Sequence, residues 1–198
     1  NGLFCRDLEP VAYRMPPLEF AEVASMGLEA LAMEHLEDVY PADEAQRARR
    51  DSLEGMLSTF AWVATIDGFQ HWIYTHPQHT REERTAAWNT LLDDFSTGVD
   101  WSGLETERSS VWHRQLHIFQ VPFYYIEYAL AQMGAIQLWL NYRTDRETCV
   151  AAYRHGLSLG GSKGLPELFE AAGLSFDPRG NGFAEWVPQI VAEWEKAV

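Results

Sequence analysis

The sequence is poor in cysteine and in basic residues, and both shortages limit what the protein can be. Only Cys5 and Cys149 occur among 198 residues, and no C-x-x-C pair is present. We therefore expect no disulfide framework and a reducing, cytoplasmic location. Lysine and arginine number 15 against 29 acidic residues, which gives a net charge of −14. This charge argues against nucleic acid and anionic membranes as partners, because phosphates attract basic side chains.

Long apolar runs, strand-like alternation and internal repeats are also missing. No stretch has the length needed to span a bilayer, and no secretory signal opens the sequence. Residues 160–162 (GGS) lack the spacing of a phosphate-binding loop, so they predict a turn. With 46% hydrophobic and 13% aromatic residues, the chain has the composition of a globular protein that buries a substantial core.

Helical periodicity runs through most of the chain and predicts an all-α protein. Residues 1–15 and 96–110 are expected to be connections, and 1–198 to form a single helical domain. The first expected helix begins at Pro17, and the second spans 43–76 after an Asp43 cap. The third runs from a capping box at Thr80 to about 95, the fourth from Pro122 to about 142, and the fifth from an Asp145 cap to about 157. The last two cover 165–173 and 183–196.

The first helix carries a row of glutamates beside an apolar stripe. Glu19, Glu22 and Glu29 recur at spacings of three and seven, so they share one helical side. Such a row is usually a solvated stripe, but the small neighbours of Glu22 at 21 and 23–25 indicate close packing there. The expected apolar face consists of Leu18, Val23, Met26, Ala30 and Met33.

The most distinctive stretch is 117–128 (HIFQVPFYYIEY), in which a histidine precedes a proline and three tyrosines. Pro122 fits the first turn of a helix, and Tyr124 and Tyr125 lie four and three residues before Tyr128. Their hydroxyls are therefore expected to gather, with His117 bent back toward them. Phenols and an imidazole can stabilise negative charge that develops on an oxygen. The alternative is that these tyrosines are amphipathic core residues with hydroxyls at the surface.

The second helix contains a carboxylate and histidines that need an explanation. Asp67 lies in an apolar segment and is expected to need a buried partner. His71, His76 and His79 could form a metal site, but Pro77 interrupts the helix and no carboxylate or cysteine completes a known ligand pattern. A helix end followed by a loop is the better interpretation.

Two segments resemble oligoendopeptidase F, a branch of the thimet-oligopeptidase-like zinc metallopeptidases. Residues 17–26 (PLEFAEVASM) are similar to the family segment that supplies the third zinc ligand, and 117–128 to its H-x-F…P-F-Y-Y-x-x-Y stretch. Residues 67–74 (DGFQHWIY) and 159–173 (LGGSKGLPELFEAAG) add support. The resemblance covers nearly the whole chain. It implies the C-terminal portion of a zincin-like oligopeptidase catalytic domain, which acts on short peptides.

The resemblance also implies roles for individual residues. Glu22 would be a zinc ligand, and Glu29 would orient a ligand histidine. His117 and Tyr128 would donate hydrogen bonds to the substrate carbonyl and to the oxyanion, with Tyr125 preferred over Tyr124 as the second tyrosine. Tyr124 would contact the substrate. Residue 22 and residues 117–128 are expected on opposite walls of one cavity.

One departure from the family pattern limits these expectations. No H-E-x-x-H motif occurs in the 198 residues, and the chain is expected to start just after it. The polypeptide alone is therefore expected to be an inactive fragment, and a non-catalytic helical peptide-binding module is the alternative. Apolar faces around Phe20, Val23 and the tyrosine helix are expected to be exposed and covered in a homo-oligomer. Without zinc, Glu22 is expected to face solvent or to pair with a hydroxyl or a cation.

Overall fold

The chain is helical throughout the computed structural model, which describes residues 2–95 and 98–197. No strand occurs in these two ranges, so the all-α prediction is confirmed. The α-helices are α1 (Leu18–Ala32), α2 (Ala42–Thr75), α3 (Arg81–Asp94), α4 (Glu105–Ser110), α5 (His117–Gln120), α6 (Ile126–Thr144), α7 (Arg146–Ser158), α8 (Leu165–Ala171) and α9 (Phe183–Lys196).

The described residues divide into two compact units. Unit 1 contains the chain up to Leu57 and from Leu130 onward, and unit 2 contains Ser58–Ala129. The prediction of a single domain over 1–198 stays a prediction, and each unit has its own core. Within the described ranges, no helix combines the length and the apolar character needed to cross a membrane.

The core of unit 1 forms where α1 packs against α8. Phe20 and Val23 are fully buried, and the rings of Phe20 and Phe169 lie 5.8 Å apart. The prediction that apolar surface is exposed around Phe20 and Val23 is therefore wrong. The buried core consists of Phe20, Val23, Leu31, Ala131, Leu138, Tyr142, Cys149, Tyr153, Leu157, Leu168, Phe169, Ala172 and Leu174.

The buried face of α1 differs in part from the predicted one. Leu18 is 47% exposed, because it lies about 200° around the helix from Phe20. The exposed apolar side chains of α1 are Leu18 and Leu28, and those near the tyrosines of unit 2 are Leu116, Phe119, Val121 and Ile126. The homo-oligomer stays a prediction, with these side chains as the surface to be covered.

Most helix ends in unit 1 follow local signals in the sequence. The Asp145 carboxylate accepts a hydrogen bond from the Thr148 backbone N–H and caps α7 as predicted. Gly173 follows α8 with a φ of 73°, and α9 has the predicted bounds. Asp43 is an exception, because it lies inside the first turn of α2 and is not the cap.

Tyr153 gives unit 1 a testable dependence on alkaline pH. Its hydroxyl donates to the Ala24 carbonyl at 2.8 Å, and burial raises its pKa to about 12 from the ordinary 10.0. The folded chain therefore holds this proton more tightly than the unfolded chain. Stability should fall as the pH rises from about 10 to 12, by roughly 2.7 kcal/mol from this group.

Urea unfolding of the wild type and of Tyr153→Phe as a function of pH measures this effect. The variant should lose about 1 kcal/mol at neutral pH, where the hydrogen bond is missing, and should show a flatter alkaline decline. Tyr40→Phe removes an exposed hydroxyl and is the control. Equal alkaline slopes for Tyr153→Phe and the wild type would contradict the assignment.

Unit 2 is built around an aromatic core. Trp88 on α3 contacts Phe69 and Trp62 of α2 edge to face, with ring centroids 5.1 and 6.0 Å apart. α3 begins at the predicted capping box, in which Thr80 and Glu83 exchange side-chain-to-backbone hydrogen bonds. The buried members of this core are Ile66, Phe69, Trp88, Trp112 and Ile118.

A helix replaces part of the loop predicted for residues 96–110. Ser96 and Thr97 lie outside the described residues, whereas Glu105–Ser110 forms α4. The indole N–H of Trp88 donates to the Arg108 carbonyl at 2.9 Å, and the Asn89 amide donates to the Ser109 hydroxyl. These contacts join α3 to α4. The short helix α4 therefore packs against α3, and the local sequence does not reveal this contact.

Candidate functional site

A tight turn carries the tyrosine-rich stretch of unit 2. Pro122 was predicted in the first turn of a helix, but α6 begins only at Ile126. The reason is Phe123, whose φ of 64° lies in the left-handed region and interrupts the helical path. The backbone N–H of Phe123 donates to Gln70 Oε1 at 2.8 Å, so a fully buried side chain of α2 holds the turn.

The turn brings an imidazole and three phenols together, although not through the helical spacing that was predicted. The ring centroid of His117 lies 5.8 Å from Tyr124, 5.0 Å from Tyr125 and 5.6 Å from Tyr128. His117 Nε2 lies 3.1 Å from the Tyr128 hydroxyl oxygen, within hydrogen-bonding distance. All four side chains are partly buried. We call these four residues the imidazole–phenol cluster.

Side chains that sequence reasoning missed hold the cluster in place. The Gln115 amide nitrogen lies 2.8 Å from His117 Nδ1, and the Trp62 indole N–H donates to the Tyr125 hydroxyl oxygen at 3.0 Å. Burial raises the pKa of Tyr125, and hydrogen bonds with Trp62 and Gln115 act in the opposite direction. Gln115 is only two residues before His117, so its proximity in sequence was the available signal.

Glu22 lies in unit 1, on the partly exposed side of α1. The Ser25 hydroxyl lies 3.0 Å from Glu22 Oε2 and 3.0 Å from the Glu22 carbonyl oxygen. The predicted pairing of Glu22 with a hydroxyl is thus found. Glu29 lies two turns further along α1 and is exposed. The roles predicted for both glutamates in zinc binding stay predictions.

The structure gives the arrangement of possible metal ligands over the described residues. No group of three or more histidine, cysteine, aspartate or glutamate side chains within 2–95 and 98–197 is arranged to hold a metal ion. His71, His76 and His79 do not form such a group in the part of the chain that the structure describes. The rings of His76 and His79 instead pack on Trp72, at 4.7 and 5.1 Å between centroids.

Asp67 has a partner, as predicted, although the partner is not buried. His71 Nε2 lies 3.4 Å from the Asp67 carboxylate, one helical turn along α2. The Asp67 side chain is 21% exposed, whereas that of His71 is 66% exposed. Burial raises the pKa of Asp67, and the attraction of His71 opposes this shift.

The predicted site residues therefore form two groups, each described within its own unit. Glu22 and Glu29 belong to unit 1, and the imidazole–phenol cluster belongs to unit 2. The structure brings His117, Tyr124, Tyr125 and Tyr128 together. The cavity that was predicted to join them to residue 22 stays a prediction.

The chain is similar to known peptidases over most of its length. A family model described as peptidase family M3 matches residues 3–180. No match is found among curated proteins. Both segments that resemble oligoendopeptidase F in sequence lie inside the matched range.

Solved structures of peptidases are also similar to this chain. An oligoendopeptidase F structure at 3.1 Å has a TM-score of 0.82 and 30% identity, and the match covers 98% of this chain and 34% of that chain. PZ peptidase A, solved with an inhibitor, has a TM-score of 0.90 and 29% identity over 98% of this chain and 35% of that chain. An oligoendopeptidase F from Bacillus anthracis str. Ames has a TM-score of 0.76 and 27% identity, over 100% and 32%. The chain spans about a third of the length of these structures.

Proposed function

Because the chain belongs to peptidase family M3, we propose that it forms part of a zinc-dependent oligoendopeptidase that hydrolyses peptide bonds in short peptides. The observation that carries this proposal is the imidazole–phenol cluster, in which His117 Nε2 lies 3.1 Å from the Tyr128 hydroxyl. The cluster offers partly buried hydrogen-bond donors, and it lies in the segment that resembles the family's H-x-F…P-F-Y-Y-x-x-Y stretch.

The proposed role of the cluster is to bind the substrate carbonyl and the oxyanion that forms from it. Tyr128 supplies a phenolic O–H group, His117 contributes through its contact with that hydroxyl, and Tyr125 is the preferred second phenol. Tyr124 contacts the peptide. A donor aimed at a developing oxyanion contributes about 3 kcal/mol to transition-state stabilisation in other hydrolases. Desolvation strengthens such donors, and the partial burial of these rings is consistent with that requirement.

Glu22 is proposed to supply one carboxylate ligand to zinc, and Glu29 to orient a ligand histidine. A single carboxylate is not a zinc site, because such sites need at least three protein ligands. The described residues do not assemble that set. We therefore propose that the 198 residues alone do not hydrolyse peptides, and that their contribution is to bind and orient the peptide.

Peptide binding by the 198-residue chain tests the role of the cluster. A fluorescently labelled short peptide should bind with an anisotropy change, and Tyr128→Phe should weaken binding about 5-fold, the loss of roughly 1 kcal/mol from one hydrogen bond. Tyr40→Phe makes the same chemical change at an exposed tyrosine of unit 1 and should leave the affinity unchanged. No binding by the wild type, or equal effects of the two variants, would refute the proposal.

A cleavage assay on the same peptide, with added zinc, tests the proposed inactivity. Intact peptide after prolonged incubation is expected. Efficient cleavage that a chelator abolishes would show that the 198-residue chain suffices for catalysis.

A non-catalytic helical module that binds extended peptides is the second candidate. It requires the same imidazole–phenol cluster and no metal ligands. The reading frame upstream of Asn1 separates the two candidates. An H-E-x-x-H motif there supports the peptidase, and a start codon close to Asn1 supports the module.

A further inference from the structure

The direction of the hydrogen bonds in the imidazole–phenol cluster can be deduced from Gln115. Its amide nitrogen lies 2.8 Å from His117 Nδ1. With the Gln115 amide in this orientation, Nδ1 accepts through its lone pair, because an amide NH₂ group only donates hydrogen bonds. Gln115 is partly buried, as is His117, which limits competition from water.

This contact determines which nitrogen of the neutral imidazole carries the proton. A neutral ring has one N–H, and with Nδ1 as the acceptor the proton is on Nε2. Nε2 lies 3.1 Å from the Tyr128 hydroxyl oxygen, so the ring donates and the phenol accepts. The phenolic proton of Tyr128 is then directed at a group other than His117.

The hydroxyl oxygen of Tyr125 also accepts a hydrogen bond, for an independent reason. The Trp62 indole is a donor only, and it lies 3.0 Å from the Tyr125 hydroxyl oxygen. Tyr125 therefore also accepts a hydrogen bond from a donor held by the fold, and Gln115 contacts Tyr125 as well. A phenol that accepts a hydrogen bond becomes a stronger donor through its own O–H, because hydrogen bonds in a chain polarise one another.

We propose that Gln115 is a positioning residue that fixes the Nε2–H tautomer of His117, so that the imidazole donates and the Tyr128 hydroxyl accepts the hydrogen bond between them. This inference rests on the proposed function only for its consequence, which is the affinity of the cluster for a peptide. The opposite amide orientation would place Gln115 Oε1 on Nδ1, require a proton there and reverse the chain of hydrogen bonds. The tautomer of His117 therefore distinguishes the two arrangements.

Long-range ¹H–¹⁵N correlation spectra of the histidine-labelled 198-residue chain, recorded at a pH where His117 is neutral, test the proposal. In the wild type, Nδ1 should have the shift of an unprotonated nitrogen and Nε2 that of a protonated one. Gln115→Glu places an acceptor on Nδ1, so the two nitrogens should exchange these positions. In Gln115→Met, which cannot donate, the shifts should move toward those of a free imidazole.

Gln120→Glu is the matched control, because it adds the same charge on α5 at an exposed position. Its spectrum should match that of the wild type. A wild-type His117 that is protonated at Nδ1 would overturn the proposal, whatever the variants do. An unchanged tautomer in Gln115→Glu, with helical content retained by circular dichroism, would overturn it too, as would the same exchange in Gln120→Glu.

The spectra do not depend on whether the chain binds peptide, so the tautomer can be assigned even if the proposed function fails. If both proposals hold, Gln115→Glu should weaken peptide binding, because it reverses the hydrogen bond between His117 and Tyr128 in the proposed peptide-binding cluster. Tight peptide binding by a Gln115→Glu chain with the exchanged tautomer would show that Gln115 does not contribute to ligand recognition.

Discussion

Replacing Trp88 with alanine is expected to lower the free energy of unfolding by about 3–5 kcal/mol. The side chain is fully buried in the core of unit 2 and packs edge to face on Phe69 and Trp62. Its indole N–H also donates to the Arg108 carbonyl, at 2.9 Å. The variant loses this packing, leaves a cavity and removes the donor from a partly buried carbonyl oxygen.

Urea unfolding followed by circular dichroism measures the effect of the Trp88 substitution. Trp88→Phe keeps most of the apolar volume but loses the hydrogen bond, so it should cost less than the alanine variant. Phe95→Ala removes a 41% exposed ring directly after the same helix and should cost less than about 1 kcal/mol. A loss below 1 kcal/mol for Trp88→Ala would mean that this tryptophan is not central to unit 2.

Replacing Gly156 with leucine is expected to cost about 3 kcal/mol or more. A Cβ atom built on Gly156 would lie 2.8 Å from Ala172 Cβ and 3.1 Å from Ala172 Cα and N. The obstruction includes the backbone directly after α8, which cannot rotate away as a long side chain can. The larger side chain would force α7 and the end of α8 apart, and overpacking of this kind typically costs 1–3 kcal/mol or occasionally more.

A pair of alanine variants separates crowding from helix propensity. Gly156→Ala should be destabilising, whereas Gly55→Ala should add roughly 0.5–1 kcal/mol, because alanine favours helices over glycine. Gly55 lies within α2, and a Cβ atom there meets nothing within 4 Å. Equal stability changes for the two alanine variants would contradict the close approach at Gly156.

The features of the fold that follow from short-range signals could be predicted from the sequence. The capping box at Thr80, the Asp145 cap and the bounds of α9 each depend on residues within one helical turn. The all-α class follows from many such segments together. The long α2 also agrees with its predicted span, because its helical pattern continues from a polar into an apolar stretch.

The features that depend on distant contacts could not be predicted. The helix of Glu105–Ser110 contacts α3 through Trp88 and Asn89, which are about 20 residues away. The late start of α6 comes from the left-handed Phe123, whose backbone N–H is bound by Gln70 of α2. Neither contact leaves a periodic signal in the sequence.

The sequence predicted which residues form the candidate site, but not the side chains that hold them in place. His117 and the three tyrosines were identified from their clustering and from the family resemblance, and the structure brings their rings within 6 Å of the imidazole. Gln115 and Trp62, which hold His117 and Tyr125, were missed. Glutamine and tryptophan are common in helices, and their hydrogen bonds here depend on side-chain direction, which spacing alone does not give.

The turn at Phe123 affects the free-energy cost of ligand binding. A left-handed conformation costs a non-glycine residue roughly 1–2 kcal/mol, and here the Phe123 ring packs 5.0 Å from both His71 and Tyr74 while Gln70 binds its N–H. The conformational-entropy cost of ordering the segment that carries the phenols therefore falls on folding and not on ligand binding. Under the proposed function, a peptide need not order this turn when it binds, so more of its contact energy can appear as affinity.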